Sequence, residues 1–348
     1  MACTIRGLDC DFVAQSYSTT FTELGTGQGD TQDASTSQDT PETSAYSLLG
    51  DPRVKDLELM HQFTAFTYKS VSVPTVNEDT WQIFVPRQAL QYDFLMHAIL
   101  GLAALHLSVE RSSNQEEYRR LSLYHQNRGF ADFSEALSNI NEANCHSIFA
   151  FSVIAMIFAI ASPQDLTISN NSKDLDRVLL LCDLLQGIGT VAVAGWQWIK
   201  EGPFGMFLDI DQSISLGDLG VEDEDMINRL HKFNDKFLAL IDPTAHITIA
   251  SAINLLEKCS RGGDMMALAW LALCRKHFMS LLGQRQRLAQ LVFLHWTLLL
   301  NRMKRVWWVK ETTKMWFDET SSELVGLGPE WLEVVERIRS KLYPPEGP

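Results

Sequence analysis

An all-α fold is predicted by three observations. From Arg53 onward the apolar residues recur at steps of three and four, no stretch keeps a clean period of two, and the segment before Arg53 differs sharply in composition. That earlier segment, residues 13–50, is rich in Ser, Thr, Gln, Gly and Asp, and no Lys or Arg lies between Arg6 and Arg53. It offers too little apolar surface to offset the entropy of ordering it, so it reads as a disordered linker. The expected organisation is a short N-terminal piece (1–12), the linker (13–50) and a multi-helix domain (53–345).

The helices are justified in turn by their periodicity. Leu57, Met60, Phe63 and Thr67 mark the first. The second enters at Val85-Pro86-Arg87, where proline tolerates the first helical turn, and runs through Leu90, Phe94, Ile99, Leu102 and Leu105 to about Ser108. A third spans Gln115 to Leu137, with Tyr118, Leu121, His125, Phe133 and Leu137 on or near its buried stripe. A fourth takes in Cys145 to Ala161 and is stopped by Ser162-Pro163. It holds the most apolar run, Ile148 to Ser162, about 15 residues where a membrane span requires roughly 20, so a core helix is expected and no membrane span. Leu175 to Leu185 makes a fifth, and GIGTVAVAG (Gly187 to Gly195) either extends or breaks it. Gly202-Pro203-Phe204-Gly205 marks a loop, and Asp209 to Asp225 is acidic and turn-like. Helices resume at Met226 to Ile241, Ala245 to Cys259, Asp264 to Leu282 and Gln286 to about Trp308, with a short one after Pro329. No repeat of 20 to 50 residues is visible, which argues against a solenoid.

Composition narrows the function. At 348 residues, with 46% hydrophobic and 10% aromatic residues, the chain can fill one large or two ordinary cores. A formal charge of −14 argues against this chain gripping nucleic acid by itself, because phosphate binding needs clustered Lys and Arg. The six cysteines (3, 10, 145, 182, 259 and 274) are too dispersed for a disulfide framework, and no secretory leader is apparent, so a reducing compartment is expected. No HExxH, GxSxG, P-loop or strand-following GxGxxG occurs, and no enzymatic activity is expected. His97 and His106, nine apart on one helix, face opposite sides and cannot share a metal. Terpene cyclases are helical and rich in aromatics, but the nearest acidic motifs here do not fit. In Asn234–Asp242, Leu238 stands where a hydroxyl ligand is needed, and the other candidate, Glu222–Asp225, lies only about ten residues away.

Five segments carry a more specific resemblance: DLELMHQFTAFTY (Asp56 to Tyr68), TWQIFVPRQALQYDFLMHAILGLAALHLS (Thr80 to Ser108), YHQNRGFADFSEAL (Tyr124 to Leu137), NCHSIFAFS (Asn144 to Ser152) and LVFLHWTLLLNRMKRVWWVKE (Leu291 to Glu311). In this order they resemble the fungal zinc binuclear cluster transcription factors, of the sterol uptake control type. The resemblance implies a multi-helix regulatory domain of the fungal-specific transcription factor type over most of Leu57 to Leu342. It also implies that residues 1–12 are a remnant of the six-cysteine DNA-binding module, with Cys3 and Cys10 as its last two metal ligands. Two thiolates cannot close a two-zinc cluster that needs six, so zinc and DNA are expected only if the rest of that module is restored upstream.

In such factors the helical domain is regulatory and binds a lipid near its C-terminal helices. By that resemblance a sterol or other hydrophobic molecule would meet Phe293, Trp296, Leu300, Met303 and Trp307, which fall at steps of three and four on the expected helix Gln286 to Trp308. Leu291, Leu294 and Leu298 occupy another face, so this helix is apolar nearly all round and either lines a cavity or sits in solid core. The partners implied are the transcription machinery and a second copy or an intact relative. The location implied is the nucleus, with a cytoplasmic stage before activation. The alternative is a stand-alone interaction protein that keeps the fold without DNA binding.

Overall fold

The computed structural model describes residues 51–71, 78–161, 187–205, 219–262, 266–274 and 276–343. Cys3, Cys10, the linker 13–50, the expected helix Leu175 to Leu185 and most of the acidic stretch after Asp209 lie outside the described residues. Every regular element among the described residues is helical. They belong to two compact units, one containing residues up to Phe158 together with Gly187–Leu208, the other containing Ala159–Gln186 and Asp209–Pro348.

In the first unit, α1 (Pro52–Ala65) starts at a well-formed cap: the Asp51 carboxylate accepts from the Arg53 N–H at 3.0 Å, and Pro52 occupies the first turn. Its buried face is Leu59, Gln62 and Phe63, while Leu57 is 71% exposed. The expected stripe is therefore rotated, because Leu59 rather than Leu57 points inward. A π-helical turn (Thr80–Phe84) feeds α2 (Val85–Ala89), and α3 (Asp93–Glu110) follows only after a break. The sequence suggested one continuous helix from Pro86. Instead Tyr92 is extended (φ −131°, ψ 105°), its hydroxyl donates to the Ala143 carbonyl at 2.8 Å, and Leu90 is left at the surface.

Helix α4 (Gln115–Leu137) has its expected bounds, as does α5 (Cys145–Ala161), whose residues up to Phe158 belong to this unit. Two glycines let these helices meet closely. A Cβ on Gly101 would stand 3.2 Å from the Cβ of His125, and one on Gly129 would stand 3.1 Å from the Phe94 carbonyl oxygen. Phe151 of α5 stacks on Phe133 at 4.1 Å and meets Phe94 and Phe130 edge-on. Helix α3 is itself long and apolar enough to cross a membrane, but 72% of it is buried, as befits a core helix. Residues 187–194 are helical and end at Gly195, ahead of the short α6 (Trp196–Ile199).

The second unit holds α7 (Val221–Leu238), α8 (Pro243–Arg261), α9 (Met266–Leu273), α10 (Lys276–Gly283), α11 (Arg287–Leu300), α12 (Lys310–Leu324) and α13 (Pro329–Leu342). Acidic residues 222–224 occupy the first turn of α7, where they complement the helix dipole. The Asp242 carboxylate caps α8 by accepting from the Ala245 N–H at 2.9 Å. Helix α7 ends before Leu240 and Ile241, which are exposed, and the single helix expected over Asp264 to Leu282 is two. The larger correction concerns α11. It stops at Leu300 in a short 3₁₀ turn (Asn301–Met303), and Trp307 lies beyond it in turns. Val306, Trp307, Trp308 and Val309 are β-branched or aromatic residues that propagate a helix poorly, and Arg302 is held aside by the Ser260 carbonyl at 2.7 Å and by Asp223 at 2.9 Å. Helix α12, with no counterpart among the expected elements, then restarts at Lys310, and α13 after Pro329 is a full 14 residues.

Gly205 is the tightest backbone approach in the first unit. A Cβ there would lie 2.2 Å from the Lys200 carbonyl oxygen, whereas one on Gly189 would meet nothing within 4 Å. Gly205→Ala is expected to lower the unfolding free energy by about 1–3 kcal/mol. Gly189→Ala should leave it unchanged or raise it by up to about 1 kcal/mol through helix propensity. Urea denaturation midpoints of the two variants check this, and equal midpoints would contradict the close approach.

Candidate functional site

Helix α11 is buried on nearly every side. Its one cap is the Gln286 side chain, which accepts from the Ala289 N–H at 2.8 Å, and 12 of its residues are buried. Trp296 lies between Trp270 (ring centroids 5.9 Å) and Trp316 (5.7 Å), both close to parallel with it, and Phe293 is 5.2 Å from Trp296. Trp296 donates its indole N–H to the Ala267 carbonyl at 2.6 Å, and Trp270 donates to Ala252 at 3.1 Å. The indole N–H of Trp316 is buried with no acceptor.

Four of the five residues expected to meet a hydrophobic ligand are therefore brought together in packed core. Phe293, Trp296 and Leu300 are fully buried and Met303 nearly so. Trp307 is off the helix and half-buried. Neither of the two best-formed cavities among the described residues is lined by any of the five. The one in the first unit, beside Phe130, Phe151 and Phe158, has a volume of about 10 Å³, at most one water. The other, of about 40 Å³, lies on another face of α11, between α7 and α8, with His295 and Arg302 among its walls.

The pairing of the buried histidines is the chemical feature that periodicity does not reveal. His97 of α3 and His125 of α4 approach Nδ1 to Nδ1 at 2.9 Å, and His125 Nε2 faces the Asp56 carboxylate at 3.6 Å. One of the two Nδ1 atoms must carry the shared proton. The assignment that suits the carboxylate has His97 Nδ1–H donating to His125 Nδ1 while His125 Nε2–H points to Asp56. Burial drives the pKa of His125 down to about 3, the neighbouring His97 adding to the effect, and burial lowers His97 as well. In the second unit burial lowers His295 to about 4, although its bond to the Leu291 carbonyl (2.8 Å) opposes the shift. His106, held by Thr67 at 2.9 Å, is also lowered by burial. Among the described residues no group of three His, Cys, Asp or Glu side chains could hold a metal ion. Spacing places His125 on a buried stripe, while its partner 28 residues away leaves no local signal.

Each unit, among its described residues, is a set of helices packed around one buried helix. Residues 58–180 match the family model described as fungal specific transcription factor domain. Sterol uptake control protein 2 of Saccharomyces cerevisiae is 25% identical over 243 residues, covering 68% of this chain and 26% of the relative. The protein of the same name from Candida albicans is 26% identical over 79% of this chain and 40% of its own length. A Zn(2)-C6 fungal-type transcription factor of Gibberella zeae is 25% identical over 80% of this chain and 60% of its own. The chain thus spans between a quarter and three-fifths of the length of these three relatives. The resemblance to zinc-cluster transcription factors of the sterol uptake control type stands on these matches together with the all-helical fold.

Acid sensitivity follows from the histidines. An unfolded histidine takes up a proton near pH 6.5, while His125 and His295 in the fold resist it to about 3 and about 4. Below pH 6.5 the unfolded state binds more protons, so the stability present at neutral pH is lost as the pH falls, at about 1.4 kcal/mol per pH unit for each such histidine. Denaturation at pH 7, 6 and 5 should show this decline, and His125→Gln should reduce its slope by about one such contribution. A slope unchanged in the variant would show that His125 does not titrate in this way.

Proposed function

We propose that this chain is the helical regulatory part of a fungal transcriptional regulator, acts in the nucleus and has no catalytic role. The observation that carries this is the alignment of most of the chain, 79% and 80%, with a sterol uptake control protein and a Zn(2)-C6 transcription factor. DNA recognition would fall to a six-cysteine module. Cys3 and Cys10 would supply two of the six thiolates such a cluster needs, a donor set that does not fit two zinc ions by itself. The chain's charge of −14 agrees with that division of labour.

The finer part of the proposal is that a sterol or similar hydrophobic molecule is sensed at the α11 aromatic face by Phe293, Trp296, Leu300 and Met303, with Trp307 at its edge. These side chains are packed against Trp270 and Trp316, so entry requires that the cluster open. The buried, unpaired Trp316 N–H favours this face over the surrounding core, since a ligand acceptor would relieve it.

Fusing the chain to a heterologous DNA-binding module tests the regulatory reading. In a fungal cell a reporter under that module's site should respond differently to the fusion than to the module alone, and the difference should change when sterol supply is cut. No difference from the module alone would sink the regulatory reading, and a difference blind to sterol would remove only the sensing. Leu300→Trp, at a fully buried position, should cost about 1–3 kcal/mol in thermal unfolding and abolish any sterol-dependent stabilisation.

A further inference from the structure

The cavity on the other face of α11 has its own chemistry. Met226 and Ile227 of α7, Leu256 of α8 and Leu299 of α11 give it apolar walls, and Arg302 stands at its rim. His295, 4% exposed, is its one buried titratable group. Its Nδ1–H is spent on the Leu291 carbonyl 2.8 Å away, which leaves Nε2 as a lone pair with no donor among the described residues. Ser260 donates its hydroxyl proton to the Leu256 carbonyl at 2.8 Å, so its oxygen also faces outward as an acceptor. The Arg302 guanidinium gives one N–H to the Ser260 carbonyl and one to Asp223 and keeps further N–H groups of its own. The buried wall of the pit presents His295 Nε2 as an acceptor.

We propose that this pit binds the hydroxyl end of a small uncharged apolar molecule, with His295 Nε2 as the acceptor of the hydroxyl proton and the aliphatic part lying against Met226, Ile227 and Leu256. A volume of about 40 Å³ is roughly three water-sized positions, enough for a hydroxymethyl group with the remainder of the chain at the open mouth. An ammonium group would match the acceptors but would bring an unpaired charge into apolar walls, because the Asp223 carboxylate is already engaged by Arg302. An ether of the same size has no proton to give. This site is separate from the aromatic face considered above, and it stands or falls independently of sterol sensing there.

The full chain labelled with ¹⁵N-histidine is titrated with 1-butanol, with the isomeric methyl propyl ether and with butylammonium chloride. The non-protonated Nε2 resonance of His295, identified by its loss in His295→Phe, should move with 1-butanol. 1-Butanol should also bind about fivefold tighter than the ether, the factor supplied by one hydrogen bond of about 1 kcal/mol. If His295→Phe does not fold, Leu298→Trp, placed on the pit wall at a half-buried position, should abolish the butanol response while leaving the resonance in place. Equal binding of alcohol and ether, a stronger response to butylammonium, or an Nε2 resonance that no probe moves would each overturn the assignment.

Discussion

A helix buried on every side must hide polar side chains as well as apolar ones, and each unit is organised around one such helix. In the first unit α3 buries Ser108 and His106 among its leucines and alanines. In the second, α11 buries Gln290, His295 and Thr297. None of these groups reaches bulk water, so each must find its partner locally or on a neighbouring helix. Ser108, His295 and Thr297 turn back onto carbonyls of their own helix, those of Leu105, Leu291 and Leu294. His106 takes Thr67, and Gln290 donates to Glu323 at 2.6 Å, a carboxylate that also pairs with Arg285. Helix α12, which carries Glu323, is thereby tied to the start of α11.

The same constraint explains why the histidines are neutral. A charged imidazole in these sites would be cut off from water, a cost that Asp56 beside His125 and Glu110 beside His106 do not offset, and the free energy of neutrality is drawn from the fold whenever the solvent becomes acidic. Glycine serves the packing in a related way. Gly101 and Gly129 sit in the interiors of α3 and α4, where each costs about 1 kcal/mol of helix propensity relative to alanine. They bring the two helices close enough for His97 and His125 to share a proton. A Cβ on Gly129 would press on Phe151 and the Phe94 carbonyl at 3.1 Å and on His97 at 3.4 Å, and one on Gly101 would meet Phe158 at 3.0 Å and His125 at 3.2 Å, so the aromatic packing and the imidazole pair would both have to give way.

Helices with a strong period and a clear stop were legible from sequence: α4 and α5 have the expected bounds because charged or proline-bearing segments flank them. The failures have separate causes. Spacing places Leu57, Leu90 and Trp307 on buried stripes, yet Leu57 and Leu90 are exposed and Trp307 is beyond its helix. In α1 apolar and charged residues are mixed around the helix with no clear stripe, Leu90 comes to the surface where Tyr92 breaks the helix, and in α11, apolar nearly all round, spacing gives no sign of the end at Leu300. Helix α12 was missed because its sequence, KETTKMWFDETSSEL, is polar and threonine-rich. Its burial rests on Trp316, Phe317 and Leu324 with three threonines and Ser321 rather than on a long apolar stripe. The candidate site was legible as residue types but not as geometry, since the stacking of Trp270, Trp296 and Trp316 joins positions far apart in the chain.

The two faces of α11 differ in what a ligand would have to do. At the aromatic face the volume is already filled by Trp270, Trp296 and Trp316, so a molecule can enter only a conformation in which those rings have separated. Its apparent affinity is then its intrinsic affinity reduced by the population of that open form, and each tenfold scarcity costs a further 1.4 kcal/mol. At the His295 pit the acceptor is exposed to the cavity without rearrangement, and an occupant need only displace solvent. A filled aromatic face therefore favours a sensor that responds slowly and to strongly apolar molecules, because only extensive burial offsets the cost of opening. Binding at the pit has no such threshold.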